Sequence, residues 1–465
     1  MLTHPASPRP PLLRLALAGA LVLVAGAAAG QTPPSPSPDR LDQDALDARG
    51  RAGLEIGSGA RAYGMAGAFL ARADDATAAS WNPAGLSYLR RPELSLVGAW
   101  GRFASNENKP TGDVELRRAR RTHPDFAAVT YPVGLGSVSG AVQLSFQRIF
   151  AFGGERTIET NESVREFESS GGFDVIAFGA GVRVFRALRV GATLNRWYDG
   201  FEQLSVRDPQ FGRTRPRVDH FVEYGIAGWN ANVGAIVTPT SAINLGVVVK
   251  TPFTAKVDLR RERTDLSLSG NQYFVNAFAS DDVRIDFPTA LGVGASIRPH
   301  SQLTLSADYT RTMWSDAEIR NYFVLAPGGG TTEEDYIPPR STGDFYERLP
   351  FPTLAFPPEV GQNDTQQIRI GAEFVILGDE VRFPIRAGYL NDRLPNRGAS
   401  GSSPKVDGVT VGAGAVVGPL MFDAAFLYQW ANYTEANLSQ TALRNRRVLL
   451  SIIYRHAGGR SASSY

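Results

Sequence analysis

The residue types that most often carry out chemistry are few and scattered in this chain. It contains no cysteine, which removes thiol catalysis, disulfides and cysteine-ligated metals. Its 5 histidines show no metal-ligand spacing, and no G-x-S-x-G turn marks a serine nucleophile. We therefore predict no catalytic residue, no metal and no cofactor, and a protein that is not an enzyme. A barrel phospholipase stays open as an alternative, because a catalytic triad is made by geometry rather than by spacing.

Two further patterns match functional sites only formally. The run Gly57-x-Gly59-x-x-Ala62 fits a dinucleotide fingerprint, which works only between a buried strand and a helix of a βαβ unit. The acidic groups Asp281-Asp282 and Glu333-Glu334-Asp335 offer calcium-type ligands, but such loop clusters are usually solvated. The formal net charge of +2 is too small to indicate a nucleic-acid partner.

The N-terminus indicates export. Arg9 and Arg14 precede or interrupt a short apolar run, Leu12 to Val24, and small residues follow up to Gly30. This layout predicts a signal peptide over residues 1–30 that is cleaved, with a membrane-anchor helix as the alternative. Residues 31–53, rich in Pro, Ser and charge, are expected to form a flexible leader. No later apolar run reaches the ~18 residues of a transmembrane helix.

From Pro92 onward the chain alternates apolar and polar residues with a period of two. In residues 138–146, for example, Val138, Val142 and Phe146 fall on one face, while Gln143 and Ser145 fall on the other. Such a strand separates an apolar from a wet environment. Fourteen segments share the pattern: 92–103, 124–133, 137–149, 171–185, 188–199, 221–238, 241–258, 283–298, 301–314, 365–377, 381–391, 406–417, 420–430 and 446–456.

The connections between these segments alternate strictly between long and tight. Tight turns such as Arg186-Ala187 and Gly418-Pro419 follow long loops, of which 315–364 is the longest. Alternation with an even strand number is the topology of outer-membrane barrels, whose long loops are extracellular. Closure also pairs every backbone group within the bilayer. We predict an all-β fold, a 14-stranded antiparallel transmembrane β-barrel over 92–465, in the outer membrane of a Gram-negative-type envelope.

The segment before the first strand differs from the rest. Residues 54–91 are rich in glycine and alanine and lack alternation, so they are not a strand. A barrel of this width holds an open channel unless something fills it. We expect these residues to form a plug, or hatch, in the lumen.

The plug contains a set of small, charged and turn-forming residues at characteristic positions: Gly59, Arg61, Gly64, Gly67, Asp74, Asp75, Asn82, Pro83, Ala84 and Gly85. With these residues the segment resembles the hatch of the outer-membrane long-chain fatty-acid transporters (FadL-like, including the TodX-type aromatic-hydrocarbon porins). The resemblance extends to FPTALGVGASIRPHSQLTLSADYTRTMWSD (287–316), DTQQIRIGAEFVI (364–376) and FPIRAGYLND (383–392).

The resemblance implies passive uptake of long-chain fatty acids or other hydrophobic molecules along a path that the plug controls. In that family the third strand carries a kink that opens the wall sideways, and here residues 137–149 offer only Gly140 for it. Some relatives instead serve protein secretion. The alternative function is therefore a partner barrel of a secretion complex, with the 315–364 loop as its contact surface.

Strand parity predicts which side chains face the lumen. The charged ones are Arg183, Lys250, Arg284, Asp286, Asp308, Arg369, Glu373, Arg382, Arg386 and Asp423. Their mixed signs indicate mutual pairing, but Lys250, Arg369 and Arg386 also form a candidate site for the carboxylate of a ligand, in the extracellular half of their strands. Aromatic residues near strand ends, including Trp197 and Trp314 at the outer rim, are expected to form interfacial girdles.

Overall fold

A computed structural model gives the fold of most of the chain. The predicted signal peptide, the leader, the first residues of the plug and most of the 315–364 loop lie outside the described residues. The structure describes residues 57–110, 114–135, 138–159, 163–209, 217–266, 272–317, 319–320, 324–325, 336–337, 363–395, 398–435 and 438–456.

Fourteen antiparallel strands, several with one interruption, form a single sheet. They are β1 Glu93–Asn108, β2 Val114–Leu135, β3 Val138–Ala151 with Gly154–Glu159, β4 Ser163–Phe185, β5 Leu188–Tyr198 with Gly200–Pro209, β6 Arg217–Thr240, β7 Ile243–Lys250 with Phe253–Leu266, β8 Gln272–Phe287 with Ala290–His300, β9 Leu303–Thr312 with Ile319–Arg320, β10 Thr365–Leu377, β11 Val381–Arg393, β12 Lys405–Val417, β13 Leu420–Thr434 and β14 Gln440–Arg455. A separate two-residue pairing joins Val324–Leu325 to Tyr336–Ile337.

The sheet closes on itself through its first strand. Leu96 of β1 lies opposite Ala127 of β2 on one side and Ile452 of β14 on the other. Each remaining strand pairs with the strands before and after it in sequence. The predicted fold class, a 14-stranded antiparallel barrel, is therefore confirmed.

The outer face of the wall is apolar. Along β13 the outward side chains Phe422 and Phe426 are 42% and 41% exposed, whereas the intervening Asp423 is 5% exposed and faces the lumen. The same alternation recurs on the other strands, so large apolar side chains surround the barrel. A surface of this kind is stable only against lipid. None of the helices in the described part of the chain is long and apolar enough to span a membrane.

Several strands extend further toward the long loops than the alternation predicted. Strand β2 begins at Val114 rather than near 124, and its first residues, VELRRARR, are charged on both faces. Above the membrane both faces of a hairpin meet water, so the apolar–polar contrast disappears while the backbone pairing continues. We call this end of the barrel the loop side, and the end with tight connections the turn side.

Interruptions within strands invert the parity on their loop side. At Pro288 and Thr289 strand β8 breaks, and Ile285 and Phe287 face the lumen there. The prediction that Arg284 and Asp286 face the lumen is therefore wrong. The prediction of a lipid-facing girdle also fails for two aromatic residues, because Trp197 and Trp314 are buried inside the barrel.

Residues 57–91, called the inner segment below, lie inside the barrel. They contain the short helices α1 Ala60–Gly64 and α2 Ala78–Trp81, followed by a 3-10 helix over Pro83–Tyr88. Almost every residue from 57 to 89 is buried. Their backbone and side chains contact strands around the whole circumference, from β3 to β14.

The backbone pairing between β2 and β3 is interrupted. Residues 126–135 of β2 pair with 138–147, and residues 114–118 pair with 155–159, but the stretch between them pairs only with β1. Opposite this stretch β3 bends inward at Phe150 and Phe152, and Gly153 adopts a φ of 153°. The bend thus lies beyond Gly140, the only position that the sequence had offered for it.

Candidate functional site

Asn82 fastens the inner segment to the wall. Its Nδ2 donates hydrogen bonds to the Leu70 carbonyl at 2.9 Å and to the carbonyls of Ala235 and Val247 at 3.2 and 3.3 Å. Its Oδ1 accepts from the backbone N–H of Ala84 at 3.1 Å, which caps the 3-10 helix that begins at Pro83. The Asn82 side chain has no exposed surface, and these hydrogen bonds satisfy both its amide nitrogen and its amide oxygen. They also hold the turn at Pro83 in one position.

The wall accommodates the inner segment through glycines that face the lumen. A Cβ added at Gly191 would lie 2.3 Å from the carbonyl oxygen of Pro83, and one at Gly371 would lie 2.5 Å from that of Met65. Only residues without a side chain permit this approach. Other wall positions in comparably close contact are Gly181, Gly234, Gly246, Gly292, Gly388 and Gly412.

The glycines of the plug motif have similar steric roles. Gly59 and Gly67 adopt φ values of 107° and 76°, which favour glycine. A Cβ at Gly85 would lie 1.7 Å from the Ala73 carbonyl oxygen, and Gly64 packs against Gly412 of β12. These motif positions therefore fold the segment and fit it to the wall.

The charged residues of the motif form the turn-side surface of the inner segment. Arg61 Nη1 donates to Asp74 Oδ1 at 2.6 Å and to Asp75 Oδ2 at 3.2 Å, and its Nε donates to Glu373 Oε2 on β10 at 3.2 Å. Arg72 also pairs with Glu373. Burial by itself raises the pKa of Asp74, but the positive charges of Arg61 and Arg72 outweigh this and hold that pKa below its usual value.

Above the inner segment, on its loop side, the lumen contains an apolar cavity of about 120 Å³. Its base is formed by Ala79 and Ser80 of helix α2. Aromatic rings dominate one wall, where Phe253 and Phe287 stack at 4.7 Å and Trp197 lies 5.0 Å from Phe253. The remaining aromatic lining residues are Phe126, Phe150 and Trp314.

A few polar groups border this cavity. Asn230 Oδ1 accepts from Trp197 Nε1 at 2.9 Å and from Asn195 Nδ2 at 3.0 Å, so this cluster is internally satisfied. By contrast, Trp314 Nε1 and the side-chain amide of Gln367 are buried and have no hydrogen-bond partner among the described residues. An apolar cavity bordered by a few polar groups is the usual form of a small-molecule site.

The three cations predicted to capture a carboxylate are not brought together. Lys250 borders the cavity. Arg369 is buried and its Nη2 donates to Asp392 at 3.3 Å. Arg386 lies toward the turn side, not in the extracellular half of its strand, and donates to Glu373 at 2.7 Å and Asp423 at 2.6 Å. Of the three, only Lys250 is placed to meet a ligand in the cavity.

Below the inner segment the lumen forms a second space with different chemistry. This vestibule has a volume of about 770 Å³ and opens on the turn side. Its lining is strongly charged and includes Arg61, Asp74, Glu93, Arg382 and Arg455. The inner segment thus separates an apolar compartment from a charged one.

Most aromatic residues of the cavity escaped the sequence analysis. Two of the missed residues stand beside a proline that interrupts a strand, in Pro252-Phe253 and Phe287-Pro288. Glycine and proline break the alternation, and the broken stretches bend into the lumen. An aromatic residue next to such a breaker is the signal that predicts these positions.

The site thus consists of a closed barrel, an apolar cavity in its lumen and an inner segment beneath the cavity. The BamG family model matches residues 57–326, which is more than half of the chain, and the chain belongs to this family. No curated protein matches the sequence.

Solved structures share the fold at low sequence identity. A Pseudomonas aeruginosa FadL homologue superposes with a TM-score of 0.60 at 14% identity, covering 87% of this chain and 99% of that one. The P. putida toluene transporter TodX gives 0.58 at 13% identity, with coverages of 86% and 99%. The Ralstonia pickettii toluene transporter TbuX gives 0.54 at 16% identity, with coverages of 86% and 98%. The predicted resemblance to FadL-like barrels is confirmed at the level of the fold.

Proposed function

We propose that this protein is an outer-membrane channel through which hydrophobic small molecules enter by passive diffusion. The observation that carries the proposal is the aromatic-lined cavity inside a barrel whose outer face is built for lipid. Such a cavity gives an apolar molecule a favourable site between the polar loops and the membrane interior. The fold shared with transporters described as carrying toluene supports this assignment.

The cavity dimensions favour a compact ligand. A dry cavity of ~150 Å³ lined by apolar side chains holds one benzene molecule, and the cavity here is of comparable size, about 120 Å³. One aromatic ring fits such a space, as does part of an alkyl chain. A long-chain fatty acid would extend beyond it, with its carboxylate at Lys250 and its tail along the aromatic wall.

We propose the gap between β2 and β3 as the exit. Gln147, Ile149 and Phe150 of the bent strand border the cavity, so it reaches the wall where backbone pairing is missing. The route downward is obstructed by the inner segment, and the vestibule below it is charged. A lateral exit lets an apolar molecule pass into lipid without crossing that charged space.

Filling the cavity tests the proposal. Ala177 borders the cavity, and Ala424 faces outward on β13. The variant Ala177→Leu should weaken toluene binding to the detergent-solubilised protein by roughly tenfold or more, because excluding the ring forfeits about 1.5–3 kcal/mol of apolar burial. The matched variant Ala424→Leu should bind toluene as the unchanged protein does. Equal affinities for all three proteins in calorimetric titration would refute the cavity as the binding site.

We further propose that residues 54–91 act as a plug within the barrel of residues 92–465. Deleting 54–89 should leave a folded barrel with a much larger conductance in a planar bilayer. An unchanged conductance would contradict this role. The alternative function, a partner barrel in protein secretion, predicts that the protein co-purifies with a secretion complex.

A further inference from the structure

A row of arginines crosses three adjacent strands on the outer face of the barrel. In the strand registers, Arg102 of β1 lies directly opposite Arg120 of β2 and directly opposite Arg446 of β14. All three side chains are exposed. The neighbours of Arg102 and Arg120 along the chain, Phe103 and Ala119, are buried in a cluster within the lumen, which confirms that the arginines face outward.

The row concentrates positive charge without internal compensation. Directly opposed residues in an antiparallel sheet lie ~4.5–5.5 Å apart, and like charges in such positions repel. Among the described residues, no ion pair connects Arg102, Arg120 or Arg446 to a carboxylate. Directly opposed positions on neighbouring strands usually hold residues of opposite charge or uncharged residues. An external anion would remove the repulsion.

The row lies at the loop-side boundary of the apolar band. On the same outer face, the next side chains toward the membrane are Trp100 of β1 and Val448 of β14, which are exposed. Leu450 and Ile452 of β14 follow them. Tyr428 of β13 lies opposite Arg446, whose guanidinium carbon is 5.8 Å from the centre of the tyrosine ring. Aromatic residues mark the membrane interface in such barrels. The arginines are therefore at the level where lipid head groups lie, above a surface that accepts acyl chains.

We propose that Arg102, Arg120 and Arg446 form a binding site for a phosphate-bearing lipid of the outer leaflet. Arginine binds phosphate through paired charge-assisted hydrogen bonds, and three adjacent guanidinium groups match a head group with more than one phosphate. The acyl chains lie along Trp100 and the apolar residues below it. The site is on the outside of the wall and is independent of the ligand in the lumen.

Native mass spectrometry of the detergent-purified full chain tests this site. The probes are bisphosphorylated lipid A, its dephosphorylated form and inorganic phosphate. The combined variant Arg102→Gln, Arg120→Gln, Arg446→Gln should weaken retention of bisphosphorylated lipid A by about tenfold, because each exposed ion pair contributes less than a decade of affinity. The dephosphorylated lipid should bind the variant and the unchanged protein equally.

A control with the same loss of charge is Arg186→Gln, Lys256→Gln, Lys405→Gln, three cations elsewhere on the barrel. This control should retain bisphosphorylated lipid A as the unchanged protein does. Equal weakening in both combined variants would overturn the proposal in favour of a net-charge effect. Displacement of the lipid by an equal concentration of inorganic phosphate would overturn the choice of a lipid ligand.

Folding of each variant is followed by its heat-dependent shift in gel mobility. If the combined variant does not fold, Arg102→Gln alone replaces it. Arg102 is in the middle of the row, so its loss should weaken retention by roughly threefold. Retention equal to that of the unchanged protein would refute the site.

Discussion

Arg61 of the inner segment and Glu373 of the wall lie 3.2 Å apart, from Nε to Oε2. The same carboxylate oxygen accepts from Arg386 at 2.7 Å, and its other oxygen pairs with Arg72. Glu373 thus connects two guanidinium groups of the inner segment to one of the barrel. Glu373 and Arg386, which parity places in the lumen, therefore pair with each other and with charges of the inner segment.

Replacing this carboxylate should loosen the inner segment. The variant Glu373→Gln leaves Arg61, Arg72 and Arg386 buried with one fewer anion, and breaking such a group typically costs about 3–5 kcal/mol. We expect unfolding at a lower concentration of guanidinium chloride. We also expect frequent current bursts in a planar bilayer, because the loosened inner segment would obstruct the lumen less completely. Glu380→Gln, at an exposed position beside the turn-side opening, is the control. Identical currents and midpoints in the two variants would contradict this role of Glu373.

The glycines of the wall offer a test of how closely the inner segment fits. The variant Gly191→Ala places a methyl group 2.3 Å from the Pro83 carbonyl oxygen, whereas one at Gly134 has no atom within 4 Å. Overpacking of this kind costs about 1–3 kcal/mol. Chemical unfolding should therefore show destabilisation of Gly191→Ala, while Gly134→Ala should unfold near the unchanged protein. Equal stability of the two would mean that the inner segment moves aside without cost.

The orientation of the barrel is tested by cysteine labelling, since the chain has no cysteine of its own. The variant Asp265→Cys places a thiol at the loop-side end of β7, Asp335→Cys places one in the 315–364 segment that the sequence predicts to be an extracellular loop, and Asp379→Cys places one in a tight turn. A membrane-impermeant maleimide applied to whole cells should label the first two variants and not the third. The reverse pattern would mean that the long loops face the periplasm.

The barrel was predictable from sequence because its signal is repeated. Each membrane strand must show lipid an apolar face, so alternation is imposed fourteen times, and strands such as Thr365–Leu377 have the predicted bounds. The signal disappears where both faces meet water, which explains the missed start of β2. It inverts where a strand breaks, which explains Arg284 and Asp286.

The site was less predictable because it depends on contacts between distant residues. Parity placed Arg369, Arg386 and Asp423 in the lumen correctly, but it did not show that Asp392 pairs with Arg369 or that Asp423 pairs with Arg386. The plug motif indicated where the chain turns, yet the matching wall glycines are visible only in three dimensions. Whether Lys250 binds a ligand stays a prediction.

Lys250 provides the sharpest test of the ligand's chemistry. It borders the apolar cavity, and the other two predicted cations lie below the cavity. A charge-assisted hydrogen bond to a ligand carboxylate contributes roughly 1.5–3 kcal/mol, or about one to two decades of affinity. Lys250→Met should therefore weaken oleate binding by that factor while toluene binds as before, because the hydrocarbon makes no ionic contact.

The control is Lys405→Met, which replaces an exposed lysine on the loop side and should change the affinity for neither ligand. Equal weakening of both ligands would show that Lys250 only shapes the cavity. Unchanged binding of both would place the carboxylate elsewhere, in contact with the loops.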